Sequence, residues 1–353
     1  MELSSLGWSD YFQQQLTNQD DAFVPGRVAF RHGRQVTVLG GGGEHAALLP
    51  ARLAGHGPEA VAVGDWVLLD PAEDPPLARH LLARRAALQR KAAGRTSESQ
   101  ILAANVDLVL IVTGLDGDFS PRRIERLATL AWDGGATPVV VLNKADLCLD
   151  LGAGVREAMA AAPGAEVLVT AALEGQGVES VRALLPAGRT GVFAGSSGVG
   201  KSTLINRLLG SERQRTGAVR ADDGRGRHVT TARQLLPLPG GGVLIDVPGL
   251  REVGLWGGDE GLDHAFADIA TLAAGCRYSD CRHAGEPGCA VRDAIEAGRL
   301  AAARLESFQN LQRELAWAQT RHDAVARAEH ERFWRQIHRA QRQHQRLRAR
   351  EGR

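Results

Sequence analysis

The stretch Gly195-Ser196-Ser197-Gly198-Val199-Gly200-Lys201-Ser202-Thr203 follows the apolar run Gly191-Val-Phe-Ala and opens the helix-forming segment Thr203 to Leu209. A strand, a glycine loop ending in Gly-Lys-Ser and a helix make the layout of a phosphate-binding loop. Glycines let successive backbone N–H groups converge on phosphate oxygens at a helix N-terminus, where the helix dipole favours an anion. Lys201 then brings positive charge to the terminal phosphates, and the Ser202 hydroxyl is a ligand for Mg²⁺. A merely flexible Gly/Ser loop does not fit that context.

On either side the chain alternates strands and helices. Val106 to Thr113 reads as a buried strand, Pro121 to Ala131 as a helix opened by Ser120 and Pro121, and Pro138 to Leu142 as the next strand. Val167 to Val169 and Val243 to Asp246 are further strands. This pattern predicts an α/β domain with a mostly parallel sheet covered by helices. Before it, residues 22–70 alternate apolar and polar positions between turns: Gly26 to Phe30, Gln35 to Leu39, Ala46 to Leu53 and Val61 to Leu69. Short strands so spaced fit a small β-barrel or a plain sandwich. After Gly257 strands disappear, and the remainder reads as helix around a Cys/His cluster.

A chain of 353 residues is expected to hold two or three compact units. Its 44% hydrophobic and 24% charged residues describe a soluble globular protein. No apolar run is long enough for a membrane span, and Met1 to Asp21 lacks the layout of a secretory signal. The expectation is therefore a cytoplasmic protein without membrane contact. The net charge of +1 hides a basic end, because Thr320 to Arg353 carries ten Arg against four acids. Of the 42 basic residues only Lys91, Lys144 and Lys201 are lysines. Where Arg has replaced Lys almost everywhere, a retained Lys marks a place that needs a compact ammonium.

One of those lysines lies in Asn143-Lys144-Ala145-Asp146, directly after the strand Val139 to Leu142. A carboxylate there accepts from both N1–H and the 2-amino group of guanine, Asn143 secures the base edge, and the Lys144 stem lies over the ring. Adenine has no such donor pair, so the motif selects GTP. Further on, Thr170-Ala171 ends a strand and is placed to offer a backbone N–H to guanine O6. Asp246-Val-Pro-Gly249 ends a strand beyond the phosphate loop, with Asp246 a Mg²⁺ ligand through water and the Gly249 N–H meeting the γ-phosphate. Between them, Gly224-Arg-Gly-Arg-His228-Val-Thr230-Thr231 is either a switch carrying a Thr to the metal or a solvated basic loop. The order is unusual. Base motif precedes phosphate loop, the reverse of Ras-like GTPases, and a sheet accepts this order if the domain is circularly permuted.

Cys276, Cys281, His283 and Cys289 offer three thiolates and an imidazole with no open position. Such a set predicts one structural Zn²⁺ per chain. Phe308, Leu311, Leu315, Ala318 and Val325 form the stripe of an amphipathic helix. In the same register follow Arg332, Arg339 and Arg346, a face for phosphates or a solvated basic tail.

Taken together, Val63-Gly-Asp-x-Val, Ala104-Asn-Val-Asp107, Asn143-Lys-Ala-Asp146, the phosphate loop, Gly226-Arg-His228, Asp246-x-Pro-Gly249 and the cysteine cluster resemble the ribosome-small-subunit-dependent GTPase A family (RsgA, also called YjeQ). The resemblance covers nearly the full length. It implies an N-terminal extension and OB-type RNA-binding barrel over 1–92, a circularly permuted P-loop GTPase domain over 93–256, and a helical zinc-binding domain with an Arg-rich tail over 257–353. It also implies a monomer that binds GTP and GDP, the 30S ribosomal subunit and 16S rRNA, and that hydrolyses GTP faster on that subunit during its late maturation. Two departures stand out. The family commonly has three threonines after the histidine where this chain has Val229-Thr230-Thr231, so either Thr230 or Thr231 reaches Mg²⁺, and the Arg-rich extension exceeds the family core.

The position after Gly249 is Leu250, where Ras-type enzymes place a water-orienting Gln. Leucine cannot orient water, so slow intrinsic turnover is expected, with His228 the candidate catalytic group alongside Lys201. The same leucine suits the other reading of the chain, an RNA-binding assembly placeholder in which GTP only switches affinity.

Overall fold

The computed structural model describes residues 2–17, 20–55, 59–91, 99–211, 233–247 and 260–316. A short helix α1 (Asp10–Gln13) precedes β1 (Val24–His32), β2 (Gln35–Gly40), β3 (Gly43–Leu48), α2 (Ala51–Ala54), β4 (Trp66–Asp70) and β5 (Leu77–Leu81). β1 to β3 run as an antiparallel meander, β3 meets β5 in parallel, β5 pairs β4, and β4 returns to β1. The result is a closed five-stranded barrel, which leaves no long free strand edge. Of the two architectures that the strand pattern fits, the structure has the barrel, with two shifts from the expected strands. Ala46 to Leu53 divides into the end of β3 and α2, and Val61 to Asp65 is the turn entering β4.

The Gly64-Asp65 turn shows why the barrel needs those residues. Gly64 has φ 95°, and a Cβ there would stand 2.2 Å from Ala104 O. The Asp65 carboxylate is fully buried, accepts from Ala62 N at 2.7 Å and takes two 2.7 Å bonds from Arg84.

A hairpin, β6 (Ala87–Lys91) with β7 (Ser99–Ala104), leads out of the barrel. The expected boundary between residues 92 and 93 falls between these two paired strands. Next come β8 (Leu108–Gly114), α3 (Pro121–Asp133), β9 (Thr137–Asn143), α4 (Leu151–Ala161), β10 (Glu166–Val169), α5 (Val178–Ala183), β11 (Thr190–Ala194), α6 (Lys201–Leu209), β12 (Gln234–Pro237) and β13 (Val243–Asp246). Strands β10, β9, β8, β11 and β13 are parallel in that spatial order, and β12 adds antiparallel to β13. β8 and β9 are almost wholly buried, as strands with helices on both faces must be. α3 starts as the sequence predicts, with Ser120 extended and Pro121 in the first turn, and buries Ile124, Leu127, Ala128 and Ala131. The α/β alternation is borne out; α4, α5, β12 and the hairpin are elements the pattern does not reveal.

Beyond the sheet, α7 (Glu260–Ala265), α8 (Ala267–Ala273), α9 (Ala290–Glu296) and a helical run over 302–316 complete the described chain. Leu311 and Leu315 are buried and Phe308 packs beside them, so the amphipathic stripe holds there. Ala318, Val325 and the arginines beyond lie outside the described residues.

Candidate nucleotide site and metal centre

β11 delivers Gly195 to the carboxyl end of the parallel sheet, where α/β proteins bind ligands. Gly195 has φ 136°, and a Cβ on it would lie 2.1 Å from Val112 O. Gly200, at φ 100°, passes so close to Asn143 that a Cβ would meet Nδ2 at 2.1 Å. These two positions explain the glycines of the loop by close approach as well as by backbone conformation. Lys201 opens α6 and folds back over the loop, donating to Gly195 O at 2.8 Å and to Ser196 O. Ser202 follows in the same first turn. β13 is the parallel neighbour of β11, so its last residue, Asp246, ends at the same sheet edge as the phosphate loop. Ser202 and Asp246 are hard oxygen ligands of the kind Mg²⁺ takes. His228, Thr230, Thr231 and Gly249 lie outside the described residues.

Asn143 is the hinge of the site. It is 2% exposed; its Nδ2 donates to Val199 O at 2.7 Å, and its Oδ1 accepts from Thr170 Oγ1 at 2.9 Å and Ala172 N at 3.0 Å. One side chain therefore ties the phosphate loop to the loop after β10, segments far apart in sequence. The motif assigns Asn143 to the base edge; here its side chain also ties the two loops together, with one bond from Nδ2 and two to Oδ1.

Lys144 adopts the left-handed conformation, φ 62°, uncommon for a residue with a side chain. Its ammonium pairs with Asp116 of the loop after β8. Asp146 is exposed on a short 3-10 turn, Ala145–Leu147, and the Ala145 N–H donates to Thr170 O at 3.1 Å. Base motif and Thr170 loop are thus brought together as expected. The backbone N–H groups of that loop are occupied, however: Thr170 donates to Leu142 O at 2.8 Å and Ala171 to Gln176 O at 3.1 Å. A guanine O6 at Ala171 has to share or displace the Gln176 carbonyl. Arg207, near the end of α6, donates to Ala172 O at 3.2 Å and to Leu173 O at 2.5 Å. One helix therefore carries Lys201 at the phosphate end and Arg207 behind the base-side loop. Asp116 and Arg207 are not legible in the sequence, because single charged residues in polar surroundings carry no spacing signal.

The second cluster is a candidate metal centre. Cys276, Cys281, His283 and Cys289 bring their ligand atoms within 4.8 Å of one another. His283 Nδ1 lies 3.7 Å from Cys276 Sγ and 3.4 Å from Cys289 Sγ. Tetrahedral zinc with ordinary Zn–S and Zn–N bonds predicts N···S edges of about 3.6 Å, so the donor set fits the ion in kind and spacing. The loop is braced from outside by Glu286, whose carboxylate accepts from Arg282 N, Ala284 N and Gly285 N at 2.7–3.0 Å. Its own backbone N–H first, and then those of Arg282, Ala284 and Gly285, hold its carboxyl down at about 2.

Comparison with known proteins agrees with this architecture. A family model described as RsgA GTPase matches residues 81–256. A protein of Opitutus terrae named small ribosomal subunit biogenesis GTPase RsgA is 45% identical, the match covering 99% of this chain and all of that one. A protein of the same name from Streptomyces coelicolor is 45% identical over 93% of this chain and 90% of its own. Among solved structures, YjeQ from Thermotoga maritima superposes with a TM-score of 0.62 at 28% identity, covering 83% of this chain and 99% of that one. YloQ, described as a circularly permuted GTPase, gives 0.60 at 20% identity and supports the fold, covering 85% and 98%.

Proposed function

The chain belongs to the RsgA GTPase family, and from that premise we propose that it hydrolyses GTP to assist late maturation of the 30S ribosomal subunit, in the cytoplasm, as a monomer bound to 16S rRNA. The observation that carries the reading is Asn143: it gathers phosphate loop, base motif and the Thr170 loop at one sheet edge in permuted chain order. On this reading Asn143, Lys144, Ala145 and Asp146 with Thr170 and Ala171 form the guanine side, and residues 195–203 with Gly249 form the phosphate side. Lys201 neutralises charge that develops on the phosphates during transfer. Ser202, Asp246 and one of Thr230 and Thr231 would hold Mg²⁺, which would supply electrostatic stabilisation of the charge on the phosphates. His228 is the group that orients water once the ribosome has brought it into place, since Leu250 cannot.

In the same proposal residues 1–92 form an OB-type RNA-binding unit, 93–256 the permuted GTPase domain and 257–353 the zinc unit with its basic tail. The closed barrel with its parallel β3–β5 contact supports the first assignment. The metal centre supports one structural Zn²⁺.

The test is GTP turnover with and without purified 30S subunits, alongside Asp146→Asn. Stimulation by the subunit is expected, and the variant is expected to favour xanthosine triphosphate, whose 2-carbonyl accepts from the new amide. Turnover indifferent to 30S subunits rejects the ribosomal reading. An unchanged preference for GTP in the variant rejects the assignment of the base site.

A further inference from the structure

We infer that Arg207 is a positioning residue of the base site: it fixes the peptide unit between Ala172 and Leu173 so that the Leu173 N–H is the donor to guanine O6. The inference rests on the proposed base site and deepens it, because the sequence motif points to Ala171 for that donor and gives Arg207 no role.

The loop after β10 closes on itself. Ala171 N donates to Gln176 O at 3.1 Å, and Gln176 N returns the bond to Ala171 O at 3.1 Å. Behind them Gly177, at φ 71°, packs so tightly that a Cβ would stand 2.2 Å from Val169 O. Most backbone donors of the loop are used in this closure: Thr170 N on Leu142 O, Ala172 N on Asn143 Oδ1, Glu174 N on Ala171 O and Gly175 N on Ala172 O. From Thr170 to Gln176 the Leu173 N–H alone has no acceptor among the described residues. Leu173 is 76% exposed, so a ligand can reach it.

The direction of that donor is set from α6. Arg207 donates from Nε to Ala172 O at 3.2 Å and from Nη2 to Leu173 O. A rigid planar fork on two successive carbonyls fixes the orientation of the chain between them, which a single ammonium does not. The Ala172 carbonyl and the Leu173 N–H belong to one trans peptide unit, and in such a unit they point opposite ways. With the carbonyl turned to α6, the N–H is turned away from it. The loop lies between α6 and the base motif, since Ala172 N meets Asn143 and Thr170 O takes the Ala145 N–H at 3.1 Å. A donor facing away from α6 therefore faces the side of the base motif. It suits a carbonyl oxygen on the ring edge, which guanine has at position 6 and where adenine has an amino donor instead.

A second arginine provides the control. Arg182 of α5 donates to Leu208 O at 2.7 Å and to Arg207 O at 3.0 Å, so it braces the end of α6 without holding the Leu173 peptide unit.

The experiment compares the full chain as wild type, Arg207→Met, Arg207→Lys and Arg182→Met, with affinity read by displacement of a fluorescent GDP. The competitors are GTP, inosine triphosphate, which keeps O6 and lacks the 2-amino group, and 2-aminopurine riboside triphosphate, which keeps the 2-amino group and lacks O6. Arg207→Met is expected to weaken GTP and inosine triphosphate about tenfold each, the worth of one hydrogen bond, and to leave the 2-aminopurine nucleotide within about twofold. Arg207→Lys keeps the charge and one bond, so its selective loss should be smaller. Arg182→Met should leave the ratios among the three nucleotides unchanged. Equal losses for all three in Arg207→Met, or no loss, overturn the role of Arg207, and so does Arg182→Met reproducing the selective loss. Wild-type protein that binds the three nucleotides equally overturns the base site itself, and this inference with it.

Discussion

The GTPase sheet is joined to its two neighbours by opposite means. On the barrel side, Arg27 is 1% exposed and spends its donors on neutral carbonyls: Gly64 O and Asn105 O at 3.2 Å each, and Leu6 O. Asn105, in the left-handed conformation at φ 55°, adds Nδ2 to Gly64 O at 3.1 Å. Burial pushes the Arg27 guanidinium down to about 10, with Asp107 opposing. On the helical side, Arg304 is 6% exposed and meets carboxylates on two elements, Glu125 of α3 at 2.9 Å and Asp268 of α8 at 2.9 and 3.0 Å. Its guanidinium also lies 4.3 Å from the Phe266 ring centre, and Ser307 Oγ donates to Glu125. One junction is backbone and sheet; the other is side chains and charge. The first resists shear between strands, while the second depends on every partner of a buried ion network being present.

The largest effect expected from breaking either side is removal of the metal. Zinc binding in a small module is folding free energy, on the order of 10 kcal/mol. Cys281→Ser, or chelation, should unfold the helical side while the barrel and phosphate loop survive, seen as protease cleavage confined to the region after residue 260 with nucleotide binding retained. Stoichiometric zinc in a triple Cys276/Cys281/Cys289 variant contradicts the centre altogether.

Next in size is the ion network. Arg304→Ala strands Glu125, itself 4% exposed, and should cost about 3–5 kcal/mol in urea unfolding. Adding Glu125→Gln should return much of that stability. A single variant within about 1 kcal/mol of wild type means that the network does not hold this junction. Arg27→Met is the matched change on the barrel side. It strands no charge and leaves carbonyls, each with a second lone pair, short of a donor, so about 1–3 kcal/mol is expected. A destabilisation larger than that of Arg304→Ala reverses the comparison.

The two junctions also mark the limit of what a sequence displays. Gly64, Asp65, Asn105 and Asp107 stand in recognisable motifs, so the barrel junction is visible as residues without roles. Asp107 proves to bind Thr190 N at 2.8 Å, tying β8's start to β11's. Arg304, Glu125 and Asp268 are invisible, because charged residues at helical spacing read as a solvated face and only tertiary packing turns them inward. The nucleotide site is legible wherever glycine, Lys and Asp spacing encodes backbone geometry. Asn143 is legible as a motif and not as a tie, since its partners Val199 and Ala172 are chosen by the fold.

The smallest effect sharpens the distinction between buried and exposed charge on the same helical side. Arg126 and Glu314 form a fork-to-fork pair at 2.8 and 2.6 Å, joining α3 to the 302–316 run as Arg304 does, but about a third of each side chain is exposed, 33% and 32%. Water and salt screen such a pair, and holding two long side chains in one geometry costs entropy. Even with bidentate geometry, a double-mutant cycle of Arg126→Ala and Glu314→Ala should give a coupling of about 0.5 kcal/mol that shrinks in roughly 1 M salt. The Arg304–Glu125 cycle should give several times more and change little with salt, because its members are dry. If the exposed pair instead couples as strongly as the buried one, burial is not what distinguishes them. The helical junction would then be a uniform charge zipper, and its strength should fall steadily with ionic strength while that of the barrel junction stays constant.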